Sequence, residues 1–171
     1  MTRGGGNLGD VFRAHEDSDR LAIIDLSDPE NPCEIGFREL GAACDAVARG
    51  FRRAGLKPGA RIGILALNRV EFLEVLFGAM RAGLVPVMIN AKLPAAQVQY
   101  IVADSGAVMV FADTQFRALC APDTRIVEFG PAGGGDSSQL SRPPPAARPR
   151  SRTSAGPAPS HRRADRPARV S

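Results

Sequence analysis

Residues 61–90 read RIGILALNRVEFLEVLFGAMRAGLVPVMIN, and the spacing of their apolar side chains changes twice. The first part, residues 61–67, is a continuous apolar run typical of a buried strand. The next part has helical spacing, for which Asn68 is the predicted N-cap and Glu71 its capping-box partner. The predicted inner face of this helix consists of Leu73, Leu76, Phe77 and Met80. The stretch thus begins with a strand and an amphipathic helix.

A second strand follows this helix. Gly83 is the predicted helix stop, and residues 84–90 are again mostly apolar. Pro86 has no backbone N–H to donate, so we expect this strand to be irregular or to lie near a sheet edge. Two apolar strands joined by one helix are typical of a parallel sheet that is covered on both faces.

The same alternation continues downstream. Pro94 suits the first turn of a third helix, which is predicted to run to about Ser105 and to stop at Gly106. Residues 108–112 and 124–129 are the next strand candidates. The predicted fold class is therefore α/β, a partial doubly wound and mostly parallel sheet with flanking helices.

Upstream of the quoted stretch lie a hairpin and a helix. Residues 21–26 (LAIIDL) and 33–37 are separated by a turn rich in Pro, Asp and Asn, which predicts a β-hairpin. From Phe37 the apolar residues recur at helical spacing, with arginines on the other face. This amphipathic helix is predicted to end at Gly55.

The composition changes abruptly after Gly130. Residues 131–171 contain eight of the 14 prolines and eight arginines against two aspartates, a net charge of +6. Residues 1–129 instead carry 14 Arg and Lys against 16 Asp and Glu, a net charge of −2. A segment with so little apolar surface cannot offset the entropy cost of folding, so we expect a disordered tail.

The origin of this tail admits two interpretations. Eight arginines could bind phosphate backbones, but no aromatic residue and no Lys accompanies them, so nucleic-acid binding is not favoured. A Pro-, Ala- and Arg-rich composition is also what GC-rich DNA encodes when it is translated out of frame. We favour that origin, with a frameshift near residues 133–136.

Cysteine usage and hydropathy bear on the compartment. Cys33, Cys44 and Cys120 are odd in number and show no CxxC spacing, which argues against a disulfide framework or a zinc site. The first 20 residues lack the apolar core of a signal peptide. No run approaches the roughly 18 apolar residues of a membrane span. We expect a cytoplasmic protein.

Candidate catalytic motifs are few. Gly4–Gly9 matches GxGxxG, but only three residues precede it and no strand can, so we interpret it as part of a flexible N-terminus. His15 and His161 are the only histidines, which leaves little material for a His-based metal site. Glu71 and Glu74 lie close together on one helix, where we expect a solvated face rather than an acid–base pair.

Three stretches in sequence resemble the start of the adenylate-forming superfamily, the AMP-dependent acyl- and aryl-CoA synthetases. Gly36–Gly59 resembles the opening helix of the family and its Gly-Leu-x-x-Gly turn. Arg61–Phe72 is similar to the strand, Asn and helix of the family, and Gly78–Asn90 to its Ala-Gly turn and its strand with Pro and Asn. Leu93–Asp113 continues in the same manner. The resemblance covers about residues 8–130.

The resemblance implies activation of a carboxylic acid with ATP and magnesium, followed by transfer of the acyl group to coenzyme A. In this family the chemistry comes from a Ser/Thr/Gly-rich loop with a Lys, a ribose-binding acid and a C-terminal Lys. None of these motifs occurs here, and Lys57 and Lys92, the only lysines, do not match those positions. We therefore assign no catalytic, cofactor-binding or metal-ligating residue.

The expected organisation has three parts. Residues 1–20 are a flexible N-terminus with a first helical segment, 21–130 an incomplete N-terminal subdomain of an AMP-binding synthetase, and 131–171 the tail. We expect a catalytically incompetent fragment that can self-associate through an unpaired sheet edge. The carboxylic acid substrate, ATP, magnesium and coenzyme A belong to a full-length relative. The alternative is a free-standing α/β binding module whose basic tail binds a partner or nucleic acid.

Overall fold

The computed structural model describes residues 6–26, 29–30 and 32–130. The predicted tail, 131–171, lies outside these residues, as does the start of the glycine motif at Gly4. The regular elements, in chain order, are β1 (Leu21–Asp25), β2 (Cys33–Gly36), α1 (Phe37–Arg53), β3 (Arg61–Leu65), α2 (Val70–Arg81), β4 (Val85–Met88), α3 (Ala95–Ser105), β5 (Val110–Asp113) and β6 (Ile126–Phe129). Short 3₁₀ helices precede β1 and follow β5.

The main sheet has four parallel strands in the order β4-β3-β5-β6. This confirms the predicted α/β class, and β4, which contains Pro86, is an outer strand as expected. Pro86 lies opposite Ile62 of β3. β1 and β2 form the predicted antiparallel hairpin as a separate two-stranded sheet, in which Ile24 lies opposite Glu34.

Both faces of the parallel sheet are covered. On one face, the buried side chains of the sheet pack with those of α1 and α2, including Phe51, Ile64 and Val75. On the other face, α3 contributes Val98, which is fully buried beside Val110. Burial on both sides explains why the strands are apolar throughout rather than alternating.

The predicted N-cap of α2 is wrong. The residue that caps the helix is Arg69, in an extended conformation (φ −156°, ψ 158°), and no side chain accepts a hydrogen bond from this helix end. Asn68 lies one position too early. The Glu71 carboxylate does not bind backbone N–H groups as a capping box requires but pairs with the Arg69 guanidinium. The bidentate pair gives the Glu71 carboxylate two charge-assisted hydrogen bonds to a cation, whereas a capping box would give it one to a backbone N–H, which accounts for the exchange.

The predicted inner face of α2 is only partly right, because Leu76 and Phe77 pack against the core clusters but are not its most buried positions. The most buried positions include Val75, Gly78 and Ala79, whereas Leu73, Leu76, Phe77 and Met80 are only half-buried. The helix packs against the sheet, against α1 and against the N-terminal segment, where Phe77 meets the Phe12 ring edge-on at 5.0 Å. Because α2 is apolar on most sides, periodicity alone does not locate its most buried face.

Glycines end all three α-helices in the predicted way, and Gly55 after α1 has φ 74°. Gly83 after α2 has φ 76°, and Gly106 after α3 has φ 65°. This left-handed conformation is strained for other residues. It turns the chain directly into β4 after Gly83 and toward β5 after Gly106.

Candidate site at the carboxyl edge of the sheet

In open parallel sheets, ligands bind outside the carboxyl ends of the strands. Here β3, β5 and β6 end side by side, and the chain after each of them carries a polar group to this edge. Asp113 is the last residue of β5, Gly130 follows β6, and Arg69 follows β3 in the loop that leads to α2. The topology thus brings together residues that are far apart in sequence.

Arg69 connects these strand ends. Its guanidinium donates to Asp113 Oδ1 at 2.7 Å, to both carboxylate oxygens of Glu71 at 2.9 Å, and to the Gly130 carbonyl at 2.9 Å. It also lies over the Phe129 ring, with Cζ 4.9 Å from the ring centre. The second oxygen of Asp113 accepts the Leu67 N–H at 2.9 Å. We call Arg69, Glu71 and Asp113 the Arg69 cluster.

The charge of the Arg69 cluster limits what it can bind. The Arg69 side chain is only 7% exposed, and two carboxylates surround it. Hydrogen bonding to Glu71 and, to a smaller extent, to Asp113 raises the pKa of Arg69 against the opposing effect of burial. One cation between two anions has a net charge of −1, so the cluster does not attract a phosphate or carboxylate.

A cleft of about 500 Å³ adjoins the Arg69 cluster, between β1 and the start of α2. Its apolar wall is formed by Ile23, Ile24, Leu26, Val70, Phe72 and Leu73. Its polar lining residues are Asp25, Asn68 and Arg69. The size and apolar lining are typical of a small-molecule pocket. The arrangement can accept an apolar group.

The described residues do not fit ATP with its magnesium ion. Arg69, the cation at the carboxyl edge, is already neutralised by Glu71 and Asp113. No group of three or more His, Cys, Asp or Glu side chains within the described ranges could hold a metal ion. We therefore derive no chemical step that involves these groups from this part of the chain.

The GxGxxG match does not form a phosphate cradle in its described part. The Gly9 N–H, which such a cradle would need, donates to Asn7 Oδ1 at 2.8 Å. A Cβ on Gly9 would lie 2.7 Å from the backbone nitrogen of Arg81 and 2.8 Å from the Phe77 carbonyl oxygen. This glycine permits close packing of the N-terminal segment against α2.

The expectation of a solvated Glu71–Glu74 face is wrong. Glu74 is only 8% exposed, and its Oε2 has no hydrogen-bond partner among the described residues. The Glu71 side chain is paired with Arg69 and is 19% exposed. Helical spacing did not reveal this burial, because both glutamates lie on a helix that is surrounded on several sides.

The three cysteines lie in two different settings. Cys44 and Cys120 are buried and unbridged, and Cys33 is exposed. Burial raises the pKa of Cys44 to about 12. Both buried thiols therefore act as small apolar side chains rather than as nucleophiles.

Sequence comparison places the chain in a known family. The family described as "AMP-binding enzyme" matches residues 12–166. The chain belongs to this family. No helix in the described part of the chain has both the length and the apolar character needed to cross a membrane.

Individual relatives agree with this assignment. The chain is 36% identical over 97 residues to the 4-hydroxybenzoate–CoA/benzoate–CoA ligase of Rhodopseudomonas palustris, covering 57% of this chain and 17% of that protein. It is 31% identical over 101 residues to the fatty acid–[acyl-carrier-protein] ligase ScoC of Streptomyces coeruleorubidus, covering 56% and 20%. The chain thus spans about a fifth of the length of these relatives.

A solved structure shows the same fold. The N-terminal domain of FACL13 from Mycobacterium tuberculosis superimposes with a TM-score of 0.66 and 23% sequence identity. The alignment covers 79% of this chain and 36% of that domain. At this level of identity the likeness supports the fold alone.

Proposed function

We propose that this chain is the N-terminal part of an AMP-dependent acyl-CoA synthetase. Such an enzyme activates a carboxylic acid to an acyl-adenylate and passes the acyl group to coenzyme A. The observation that carries the proposal is the family match over residues 12–166. The names of both relatives above describe the ligation of a carboxylic acid to a carrier. The substrate class is therefore a carboxylic acid, and the free buried thiols suit a cytoplasmic enzyme.

The 171-residue chain by itself is proposed to be catalytically incompetent. Acid activation requires positive charge near the phosphates and the developing acyl-adenylate. Arg69, the buried cation at the carboxyl edge of the described sheet, is committed to Glu71 and Asp113. We expect the purified chain to form no hydroxamate when it is incubated with ATP, magnesium, hydroxylamine and a panel of fatty and aromatic acids. ATP-dependent hydroxamate above the no-protein control would refute this.

The out-of-frame origin of residues 131–171 is a second part of the proposal. It rests on their composition, eight prolines and eight arginines in 41 residues. The family match extends to residue 166, inside this segment. An out-of-frame origin by itself gives no reason for the match to extend so far. Sequencing the coding DNA through and beyond these codons tests the point directly. A phosphate-loop motif of the Thr-Ser-Gly-Thr-Thr-Gly-x-Pro-Lys kind in another frame would support it, and its absence from all three frames would refute it.

The enzyme proposal has its own test. If the motif is found, the protein with the restored frame is expected to release pyrophosphate from ATP in the presence of an acid and to form a thioester with coenzyme A. A matched control is the same protein with the loop lysine replaced by alanine, which should abolish both signals. A restored protein that folds but releases no pyrophosphate with any acid in the panel would overturn the assignment as an acyl-CoA synthetase.

A further inference from the structure

The ionisable side chain of Glu74 is buried in the protein without a role in the contacts described so far. Glu74 lies on α2, and only 8% of its surface is exposed. Its Oε2 atom has less than 1 Å² of accessible surface and no hydrogen-bond partner within the described ranges. An ionised carboxylate in such a position is costly, because it loses its water without gaining a donor.

The groups around Glu74 add to this cost. Glu39 of α1 and Glu71 of α2 are the acidic neighbours that disfavour its ionised form. Arg69, the opposing cation, already donates to Glu71 and Asp113. Cys44 of α1 also faces Glu74 and is fully buried and neutral. Among the groups that act on Glu74, none is therefore a free cation that could neutralise its charge.

Close packing of α1 and α2 leaves little room for adjustment. One turn beyond Glu74, a Cβ on Gly78 would lie 2.7 Å from Val47 Cγ1 and 2.9 Å from the Cys44 carbonyl oxygen. The two helix backbones are thus in near contact there. Full hydration of the buried Oε2 atom of Glu74 therefore requires α2 to move away from α1.

We propose that Glu74 is a pH-sensitive element of the α1–α2 interface, held there as a neutral carboxylic acid, and that its ionisation loosens α2 against α1. The step releases one proton from the Glu74 carboxyl to solvent. Its effect extends beyond the interface because Val70, Phe72 and Leu73 of the same helix line the cleft. The apolar cleft and the helix pair are therefore expected to open together as the pH rises.

The direction of the pH effect follows from burial. Burial first, and then Glu71 and Glu39, raise the pKa of Glu74 from 4.5 to about 7. A carboxyl group whose pKa is higher in the folded state than in the unfolded state makes its full contribution to stability at pH values below the unfolded-state pKa. That contribution falls as the pH rises from about 4.5 toward 7, and it is lost above about 7. The protein is thus expected to be less stable at pH 8 than at pH 6.

A titration of the glutamate carboxyl carbons tests the proposal on the full chain. Carbon-13 NMR of glutamate Cδ is expected to show one signal with a midpoint near 7, and this signal is expected to be missing in Glu74→Gln. The midpoint itself is measured on the unmodified chain, so the test does not depend on whether Glu74→Gln folds. If every glutamate signal titrates between 4 and 5, the proposal is overturned.

Hydrogen exchange tests the structural consequence. After correction for the intrinsic pH dependence, amides 74–79 of α2 are expected to exchange about tenfold faster at pH 8 than at pH 6. Glu74→Gln should abolish this difference. Glu34→Gln makes the same chemical change at an exposed position of β2 and should preserve it. An equal pH response in the unmodified chain and in Glu74→Gln would overturn the proposal.

Discussion

Two buried arginines lie at opposite ends of α2, and their partners come from opposite directions along the chain. Arg69 precedes the helix and binds Asp113 and the Gly130 carbonyl, 44 and 61 residues later in sequence. Arg81 ends the helix, and its partners all lie earlier in the chain. The helix thus connects the N-terminal segment at one end with the strand ends of the sheet at the other.

The Arg81 site is the more completely enclosed of the two. Its side chain is 2% exposed, and it donates to the Gly9 and Gly41 carbonyls at 2.8 and 2.9 Å. Glu16 and Asp45 supply the carboxylates, and the guanidinium lies over the Phe12 ring. Arg69, by contrast, lines the cleft between β1 and the start of α2. Arg81 thus holds the N-terminal segment and α1 against α2, whereas the Arg69 end adjoins the cleft and is the candidate for function.

Replacing Arg81 is expected to have the largest effect on stability. Arg81→Met removes the cation and leaves two carboxylates and two carbonyls without their donor, which should cost about 4 kcal/mol. Urea unfolding followed by circular dichroism measures the loss, and hydrogen exchange of residues 8–15 should accelerate. Arg49→Met changes an exposed arginine of α1 and serves as the control. A loss of less than about 1 kcal/mol in the free energy of unfolding would show that Arg81 is not a major structural residue.

Replacing Arg69 is expected to cost less and to act elsewhere. Arg69→Met removes the cation that pairs with Glu71, Asp113 and the Gly130 carbonyl, an expected loss of about 3 kcal/mol. Exchange should accelerate at residues 126–130 but not at 8–15, which is the reverse of the Arg81 pattern. Arg61→Met, an exposed position at the start of β3, is the matched control. If both buried arginines give the same exchange pattern, the division of α2 into two functionally different ends is wrong.

The contrast also explains what the sequence could predict. The order of elements, the glycine helix stops and the outer position of β4 follow from local spacing and from single residues such as Gly83 and Pro86. These signals lie within one element or at its end, so they can be read without the tertiary structure. The family resemblance rests on the same scaffold features and was confirmed by the match over residues 12–166.

The polar clusters could not be predicted in this way. The capping-box rule assigned Glu71 to backbone N–H groups because it considers only the first turn of the helix. It does not include Asp113, which lies 44 residues after Arg69 in sequence and binds the Arg69 guanidinium. The one available signal was position, because Arg69 and Asp113 both stand just after or at the end of a predicted strand. Glu74 gave no such signal, since its burial depends on how α1 packs against α2.

Replacing the exposed Arg38 is expected to have the smallest effect on stability. Arg38 approaches Asp19 at 3.4 Å, but the two side chains are 63% and 89% exposed. Water and salt screen such a pair, so Arg38→Met should change stability by less than about 0.5 kcal/mol. Raising the salt concentration should not widen the difference between the variant and the unmodified chain, as measured by urea unfolding. A loss comparable to that of Arg69→Met would mean that burial is not what separates the strong arginine sites from the weak one.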